Sequence, residues 1–297
     1  MPQDNISFHE QIASNKRKSV FLIVLIIIAI AALGFVIGNI YGDPFLFLIF
    51  ASIISIIYVV IGYSFSQNIA LASVNALPAD RRKYPQYYNS VEGLCLASGM
   101  PMPKLYIMEN SQINAFASGK NPETSVICIT TGALEQLNKQ ELEGVLGHEL
   151  SHIANYDIRF MTLTAVLVGI VAIISEIFLR SLWFGGGKGE KDKSGVILLI
   201  IGIVLAILAP IFVQLVQLAI SRKREYVADA SAVKFIRTPT GLINALKKIK
   251  KETINTKESK KISKTMAPLF ISNPFKNSDI TSTHPSLDKR IEILERM

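Results

Sequence analysis

Residues 138–152 of the chain read Asn-Lys-Gln-Glu-Leu-Glu-Gly-Val-Leu-Gly-His-Glu-Leu-Ser-His. Asn138, with Glu141 three positions later, is typical of a capping box at the start of a helix. Apolar residues then recur at the spacing of one helix face, at Leu142, Val145, Leu146, Leu150 and Ile153. The stretch therefore predicts an amphipathic helix over about residues 139–155 that buries one face in a core.

The end of this helix carries the pattern H-E-x-x-H, formed by His148, Glu149 and His152. Positions i and i+4 share a helix face, so both imidazoles can reach one metal ion. Zinc held by two His and one further protein ligand keeps a fourth position open for water. Glu149 can take a proton from that water, as in metal-dependent proteases. The pattern also arises by chance, and the alternative is a set of polar residues on an exposed helix face.

Half of the residues are hydrophobic, and charged residues are absent from several long stretches of the chain. A helix of about 20 apolar residues spans the hydrocarbon core of a bilayer. We therefore predict four transmembrane helices, at about 19–40, 44–63, 160–180 and 196–219. Residues 41–44, Tyr-Gly-Asp-Pro, are typical of a tight hairpin between the first two spans.

Each predicted span has an alternative interpretation. The first could be a signal peptide, although it is too long and lacks a small-residue cleavage site. The last two could form a buried helical hairpin of a soluble core. Glu176, in the third span, is either a functional carboxylate within the membrane or a residue near the far interface.

Basic residues near the span ends predict the orientation of the chain. They place both termini and both large polar segments in the cytoplasm, and they include Lys16, Arg17, Lys18, Arg159, Arg222, Lys223 and Arg224. The loop between the third and fourth spans disagrees, because it also contains Arg180 and three lysines. The net charge of +8 suits a surface that faces anionic lipid headgroups, and the positions of the basic runs argue against a nucleic-acid partner.

These assignments divide the chain into five parts. They are a cytoplasmic segment (1–18), a transmembrane hairpin (19–63), a first polar segment (64–159), a second transmembrane hairpin (160–220) and a second polar segment (221–297). The polar segments are expected to contain helices at 85–98 and 287–297 and short strands at 104–108, 114–117 and 125–130. Residues 247–264 are rich in lysine and predict an exposed linker. Cys95 and Cys128 are expected to be free thiols in a cytoplasmic setting.

A third metal ligand is expected beyond the second hairpin. Glu225 and Asp229 are four residues apart, so both carboxylates share one helix face. Either could bind the metal while the other orients a histidine ligand, and the alternative is an ordinary surface pair. Two membrane crossings return the chain to the face where His148 and His152 lie, so the three groups can meet.

Taken together, these motifs resemble the HtpX/Ste24-type membrane zinc metalloproteases, and most closely the bacterial HtpX branch. The resemblance covers nearly the whole chain. It includes the motif helix followed by Asp157, Glu225 with Asp229, and the stretches at 114–117, 269–274, 283–285 and Arg290. The resemblance implies one Zn²⁺ per chain, with His148, His152 and Glu225 as ligands, Glu149 as the catalytic base and Asp229 behind the ligands.

The resemblance also implies the fold and the biology. The fold is expected to be α+β and mainly helical, with four transmembrane helices and a gluzincin-like zinc protease domain on the cytoplasmic side. The expected setting is the bacterial plasma (inner) membrane, with the active site and both termini cytoplasmic. The expected function is endoproteolysis of membrane proteins or unfolded polypeptides in quality control.

The transition state of peptide hydrolysis needs a hydrogen-bond donor besides zinc, and Tyr226, His284 and Arg290 are candidates. His284 could instead act as a further metal ligand or cap the last helix, and Tyr226 and Arg290 could have structural roles. Residues 114–117, Asn114, Ala115, Phe116 and Ala117, are expected to form either an exposed edge strand to which an extended substrate adds, or an ordinary buried strand. Two other functions stay open: a processing protease of narrow specificity, and a catalytically silent membrane scaffold.

Overall fold

The structure is a computed structural model that describes residues 8–165, 222–255, 269–272 and 285–297. Most of the predicted third span, the whole fourth span and the loop between them lie outside the described residues. Glu176 and His284 lie outside them as well.

Two long antiparallel helices open the chain, α1 (Phe8–Tyr41) and α2 (Pro44–Ser73). The predicted hairpin is confirmed: Asp43 caps α2 by accepting a hydrogen bond from the backbone N–H of Leu46, and Pro44 begins the helix. A Cβ atom on Gly38 would lie 2.6 Å from the Cα of Pro44, so a glycine there lets the two helices meet closely at the turn. Within the described residues, α2 meets the length and hydropathy expected of a membrane-crossing helix, and most of its apolar stretch is not buried by protein.

A four-stranded sheet follows, made of β1 (Leu77–Pro78), β2 (Lys104–Met108), β3 (Ala115–Ser118) and β4 (Val126–Thr130). The spatial order is β1-β2-β4-β3, with β2 and β4 parallel and the two other pairs antiparallel. The strand β4 lies between two neighbours and all five of its residues are buried. Helix α3 (Pro85–Ser98) packs below the sheet, where the Tyr87 hydroxyl donates a hydrogen bond to the carbonyl of Ile127.

The predicted motif helix is α5 (Lys139–Ala154), which follows the short α4 (Thr131–Gln136). Both hydrogen bonds of the capping box between Asn138 and Glu141 are present. From Gly144 to Ile153 every residue of α5 is buried, because the helix lies between the sheet and the helices that come later in the chain. A further helix, α6, begins at residue 157 and is described through residue 165.

The second polar segment contributes α7 (Arg222–Ile236), α8 (Thr240–Asn255) and α9 (Leu287–Leu294). The predicted linker at 247–264 is wrong for residues 247–255, which form the second half of α8. The helix is stabilised by a buried apolar face at helical spacing, formed by Leu242, Ile243, Leu246 and Ile249. Its lysines lie between these positions, so a composition rich in lysine reflects the solvent face of a packed helix.

The close packing of α8 on the motif helix depends on Gly144 of α5. A Cβ atom at this position would lie 2.5 Å from the backbone nitrogen of Leu242. The described architecture is α+β and mainly helical, as predicted, with α5 at the centre of the part that follows α2.

Candidate metal centre

Three buried side chains from two helices converge in the interior of the protein. His148 and His152 lie one turn apart on α5, and Glu225 lies on α7 opposite them. The Nε2 atoms of the two imidazoles are 3.2 Å apart. Glu225 carboxylate oxygens lie 3.6 Å from Nε2 of His148 and 3.7 Å from Nε2 of His152. The structure thus brings together the three residues that the sequence predicts as metal ligands.

The spacing of these atoms fits a zinc ion. Two ligand atoms that lie about 2.0–2.1 Å from a tetrahedral zinc ion stand about 3.3 Å apart. The three observed separations, 3.2, 3.6 and 3.7 Å, lie close to this value. Two imidazoles and one carboxylate are also a donor set that zinc proteases use, and it leaves one coordination position for water.

His148 is oriented by a buried pair of charged residues. Its Nδ1 atom lies 2.8 Å from Oδ1 of Asp229, one turn beyond Glu225 on α7. Arg290 of α9 holds this carboxylate with two hydrogen bonds, from Nε at 2.8 Å and from Nη2 at 2.6 Å. Because Nδ1 faces a carboxylate, its proton stays there and the Nε2 lone pair is directed at the metal position. Asp229 therefore lies directly behind His148, the position that the family resemblance implies for it.

His152 has a matching arrangement that sequence reasoning did not assign. Its Nδ1 atom lies 3.0 Å from Oδ2 of Asp157, which stands at the start of α6. The other carboxylate oxygen of Asp157 accepts a hydrogen bond of 2.7 Å from the side-chain amide of Asn15 in α1. The position of Asp157 five residues after His152 was the one available signal, whereas nothing in the sequence connects Asn15 with the site.

The carboxylates of the site favour positive charge on His148. Burial and the Arg290 guanidinium favour the neutral imidazole of His148, yet the carboxylates of Asp229 and Glu225 outweigh them and raise its pKa to about 9. Burial also opposes ionisation of Asp229, but Arg290 and His148 hold the pKa of this carboxyl below its usual value. A buried cluster that stabilises positive charge on a histidine also favours a divalent cation.

Glu149 lies next to the cluster and is 1% exposed. Burial raises the pKa of its carboxyl, which the two neighbouring histidines oppose. Within the described residues, neither carboxylate oxygen has a partner at hydrogen-bond geometry. The backbone of Ala117 nevertheless lies close enough to lower the pKa of this carboxyl. Buried carboxylates are rarely left without partners unless water, an ion or a substrate supplies them, so the position suits a group that handles protons.

The strand β3 passes over this carboxylate, but it is not the exposed edge that the sequence suggested. All four of its residues are buried, and the strand begins at Ala115 instead of Asn114. Its outer edge is covered in part by residues 269–272: the N–H of Ile271 donates to the carbonyl of Ala115 at 3.0 Å. The Asn114 side chain donates to the carbonyl of Ser272, and Phe270 packs edge-to-face on Phe116.

The candidate donors for the transition state are placed differently from one another. Arg290 is fully buried and donates to Asp229 and, through Nη1 at 3.0 Å, to the carbonyl of Ile271. These contacts favour the structural alternative for Arg290. Tyr226 is partly exposed on α7, beside Glu225, and its role stays a hypothesis. His284 lies outside the described residues.

Comparison with known proteins agrees with this geometry. The family model of peptidase family M48 matches residues 82–297. A "Protease HtpX homolog" from Caldanaerobacter subterraneus subsp. tengcongensis is 42% identical over 296 residues, which are 98% of each chain. A "Protease HtpX homolog" from Lactobacillus helveticus is 38% identical over 300 residues, covering 97% of this chain and 99% of the relative.

A solved structure, "Crystal Structure of S. mikatae Ste24p", aligns with a TM-score of 0.49 and 19% identity, covering 96% of this chain and 66% of the other. A likeness at this level does not by itself establish a shared function. The family match and the full-length relatives are sufficient without it. The chain therefore belongs to peptidase family M48, as a homologue of the HtpX proteases.

Proposed function

We propose that this chain is a zinc-dependent endopeptidase of the bacterial plasma membrane, with one Zn²⁺ per chain, that cuts membrane proteins or unfolded polypeptides on the cytoplasmic side as part of protein quality control. One observation carries the proposal. Two imidazoles and the carboxylate of Glu225 meet at zinc-ligand spacing. Directly beside them lies the buried carboxylate of Glu149, which has no hydrogen-bond partner among the described residues.

The chemistry follows from the roles of the side chains. His148, His152 and Glu225 would hold the zinc ion, and Asp229 and Asp157 keep the two histidines in the tautomer that binds metal. When bound, zinc would activate a water molecule and polarise the carbonyl of the peptide bond. Glu149 takes the proton of that water and later delivers it to the leaving amine. Its raised pKa brings the carboxyl closer to the range in which it can both accept and return a proton.

The placement of the site supports substrates in or near the membrane. The N-terminal part of α1 lies against the turn that joins α5 to α6, where Lys16 stacks on Tyr156 and Asn15 reaches Asp157. The uncharged part of the same helix runs on to the hairpin with α2. The metal cluster is thus held next to the helices assigned to the bilayer, and basic residues at their cytoplasmic ends support an active site on that side.

The strand β3 remains the proposed place for an extended substrate. Alternate residues of a strand direct their backbone groups to the same edge. Because the carbonyl of Ala115 faces the outer edge, Ala117 faces it too, beside Glu149. A peptide paired with this edge would run past the catalytic carboxylate, reading little sequence. Such pairing at Ala115 requires residues 269–272 to move.

The proposal is tested by purifying wild type and Glu149→Gln in detergent without chelators. Zinc per chain and cleavage of casein are measured for both. The control is Glu143→Gln, which makes the same change on the same helix at a partly exposed residue that pairs with Lys139. We expect about one zinc in all three proteins and a loss of cleavage of about 10²–10⁴-fold for Glu149→Gln alone.

Other outcomes separate the alternatives. Zinc in every protein with no cleavage of casein by wild type would point to a processing protease of narrow specificity. Absence of zinc from wild type would refute the metal centre and favour a catalytically silent scaffold. Equal losses in Glu149→Gln and Glu143→Gln would show that Glu149 is not the base.

A further inference from the structure

Asn15 is an unusual residue for its position. It lies in α1, before the part of the helix that is assigned to the membrane, yet it is only 2% exposed. Its side-chain amide donates to Oδ1 of Asp157 at 2.7 Å and to the backbone carbonyl of Asn155 at 3.2 Å. A buried amide at this point is therefore bonded to a segment 140 residues later in the chain and not to its own helix.

The partner of Asn15, Asp157, contacts one of the three candidate metal ligands, His152. Asp157 is fully buried, and its second oxygen, Oδ2, lies 3.0 Å from Nδ1 of His152. A carboxylate is planar, so a hydrogen bond that holds one oxygen also limits the direction of the other. The amide of Asn15 thus restricts the rotation of the Asp157 carboxylate, which in turn restricts the ring of His152.

The two histidines are supported in different ways. Arg290 holds the carboxylate behind His148 and neutralises its charge. The carboxylate behind His152 accepts a hydrogen bond from a neutral amide, and its ion pair with Nε of the buried Arg224 is longer, at 4.0 Å. The amide of Asn15 carries no net charge, so its hydrogen bond orients the Asp157 carboxylate without adding to the positive charge around it.

We propose that Asn15 is a positioning residue of the metal centre, which acts through Asp157 to fix the imidazole of His152 and so strengthens zinc binding. This inference rests on the proposed zinc site. It extends the site to a helix that precedes residues 82–297, the part of the chain that the family model matches. The segment that leads into the membrane hairpin would then contribute to the metal centre.

The test measures zinc affinity of the full-length chain in detergent, by competition with a chromophoric chelator. Asn15→Leu removes the donor and keeps a side chain of similar size that suits a helix. Asn39→Leu is the matched control, because Asn39 lies in the same helix but is exposed, and among the described residues its side chain donates within its own helix, to the carbonyl of Phe35. We expect Asn15→Leu to bind zinc about tenfold more weakly, at the lower end of the range for groups that orient metal ligands, and Asn39→Leu to match wild type.

A double-mutant cycle with Asp157→Asn shows whether the effect travels through Asp157. With that carboxylate replaced, we expect Asn15→Leu to change the zinc affinity by less than about twofold. An equal tenfold loss in both backgrounds would overturn the proposal, because Asn15 would then act by general destabilisation. Wild-type affinity for Asn15→Leu would overturn it as well.

A second variant guards against misfolding. Asn15→Gln moves the same amide by one methylene group, and we expect it to weaken zinc binding relative to Asn39→Gln. Equal affinities for these two variants would contradict the inference. If wild type itself bound no zinc, the proposed function would fail first, so the two failures are distinguishable.

Discussion

Arg290 provides a sharp test of how the buried part of the site is held together. Its guanidinium is fully buried and donates two hydrogen bonds to Asp229, itself 1% exposed, and a third to the carbonyl of Ile271. Arg290→Met keeps much of the apolar stem but leaves the Asp229 carboxylate without its cation. Removal of one member of a buried ion pair costs about 3–5 kcal/mol of unfolding free energy.

The same region offers a matched exposed pair. Lys247 of α8 lies 2.8 Å from Glu295 just after α9, and both side chains are about half exposed. Exposed pairs of this kind contribute roughly 0–1 kcal/mol. Lys247→Met therefore also removes a cation that links the end of α9 to the rest of the domain. Its cost in unfolding free energy is expected to be several kcal/mol smaller than that of Arg290→Met.

A buried thiol supplies the assay. Cys128 in β4 is free and fully buried, so a thiol reagent reaches it only when the sheet opens, whereas Cys95 in α3 lines a surface pocket and serves as the reference for labelling of the folded protein. Labelling across a urea gradient in detergent gives an unfolding midpoint for wild type and both variants. We expect the urea midpoint of unfolding to decrease strongly for Arg290→Met and hardly at all for Lys247→Met.

Zinc affinity is measured on the same proteins at low urea. Because Asp229 orients His148, Arg290→Met should also weaken zinc binding by about tenfold or more. Equal midpoints for the two variants, together with wild-type zinc affinity for Arg290→Met, would refute the reasoning about this buried pair.

The remaining predictions concern packing, the metal and the covered strand edge. Ile249→Ala in α8 should cost about 2–5 kcal/mol of unfolding free energy by the thiol assay, whereas no such cost is expected if residues 247–255 belong to a linker. Gly144→Leu should prevent α8 from packing on α5 and lower the midpoint further, because even its Cβ has no room beside Leu242. Glu225→Ala should abolish stoichiometric zinc, and retention of one zinc per chain would exclude Glu225 as a ligand. Ile271→Pro deletes the N–H that bonds Ala115, so cleavage of casein should increase if substrates pair with β3; a decrease would mean that residues 269–272 support the site instead of blocking it.

The outcome of sequence reasoning depended on whether the signal was local. The capping box at Asn138, the helix that carries His148 and His152, and the hairpin at Asp43 each depend on residues within a few positions of one another. Local hydrogen bonds and periodic burial act through this short range, so they can be deduced from the order of residues alone. Topology and the family resemblance then predicted that Glu225 would join the two histidines.

Errors arose where composition stood in for packing. The lysines of 247–255 suggested a linker, because their charge concealed the apolar face formed by Leu246 and Ile249 with residues before the run. Two interpretations of 114–117 were open, an exposed edge and an ordinary buried strand; its strand residues are buried, and residues 269–272 cover part of the edge. Which segment covers a strand edge is a long-range contact that no local pattern records.

The order of residues by itself determined the chemistry of this protein: two imidazoles one helical turn apart, a carboxylate between them, and two more carboxylates four residues apart on a later helix. The tertiary structure decided which groups stand behind the ligands. Asp229 is held by Arg290, and Asp157 is held by Asn15, which lies in the first helix of the chain. The physical reason is that a ligand's identity is a property of one side chain, whereas its orientation depends on hydrogen bonds between segments that only folding brings together.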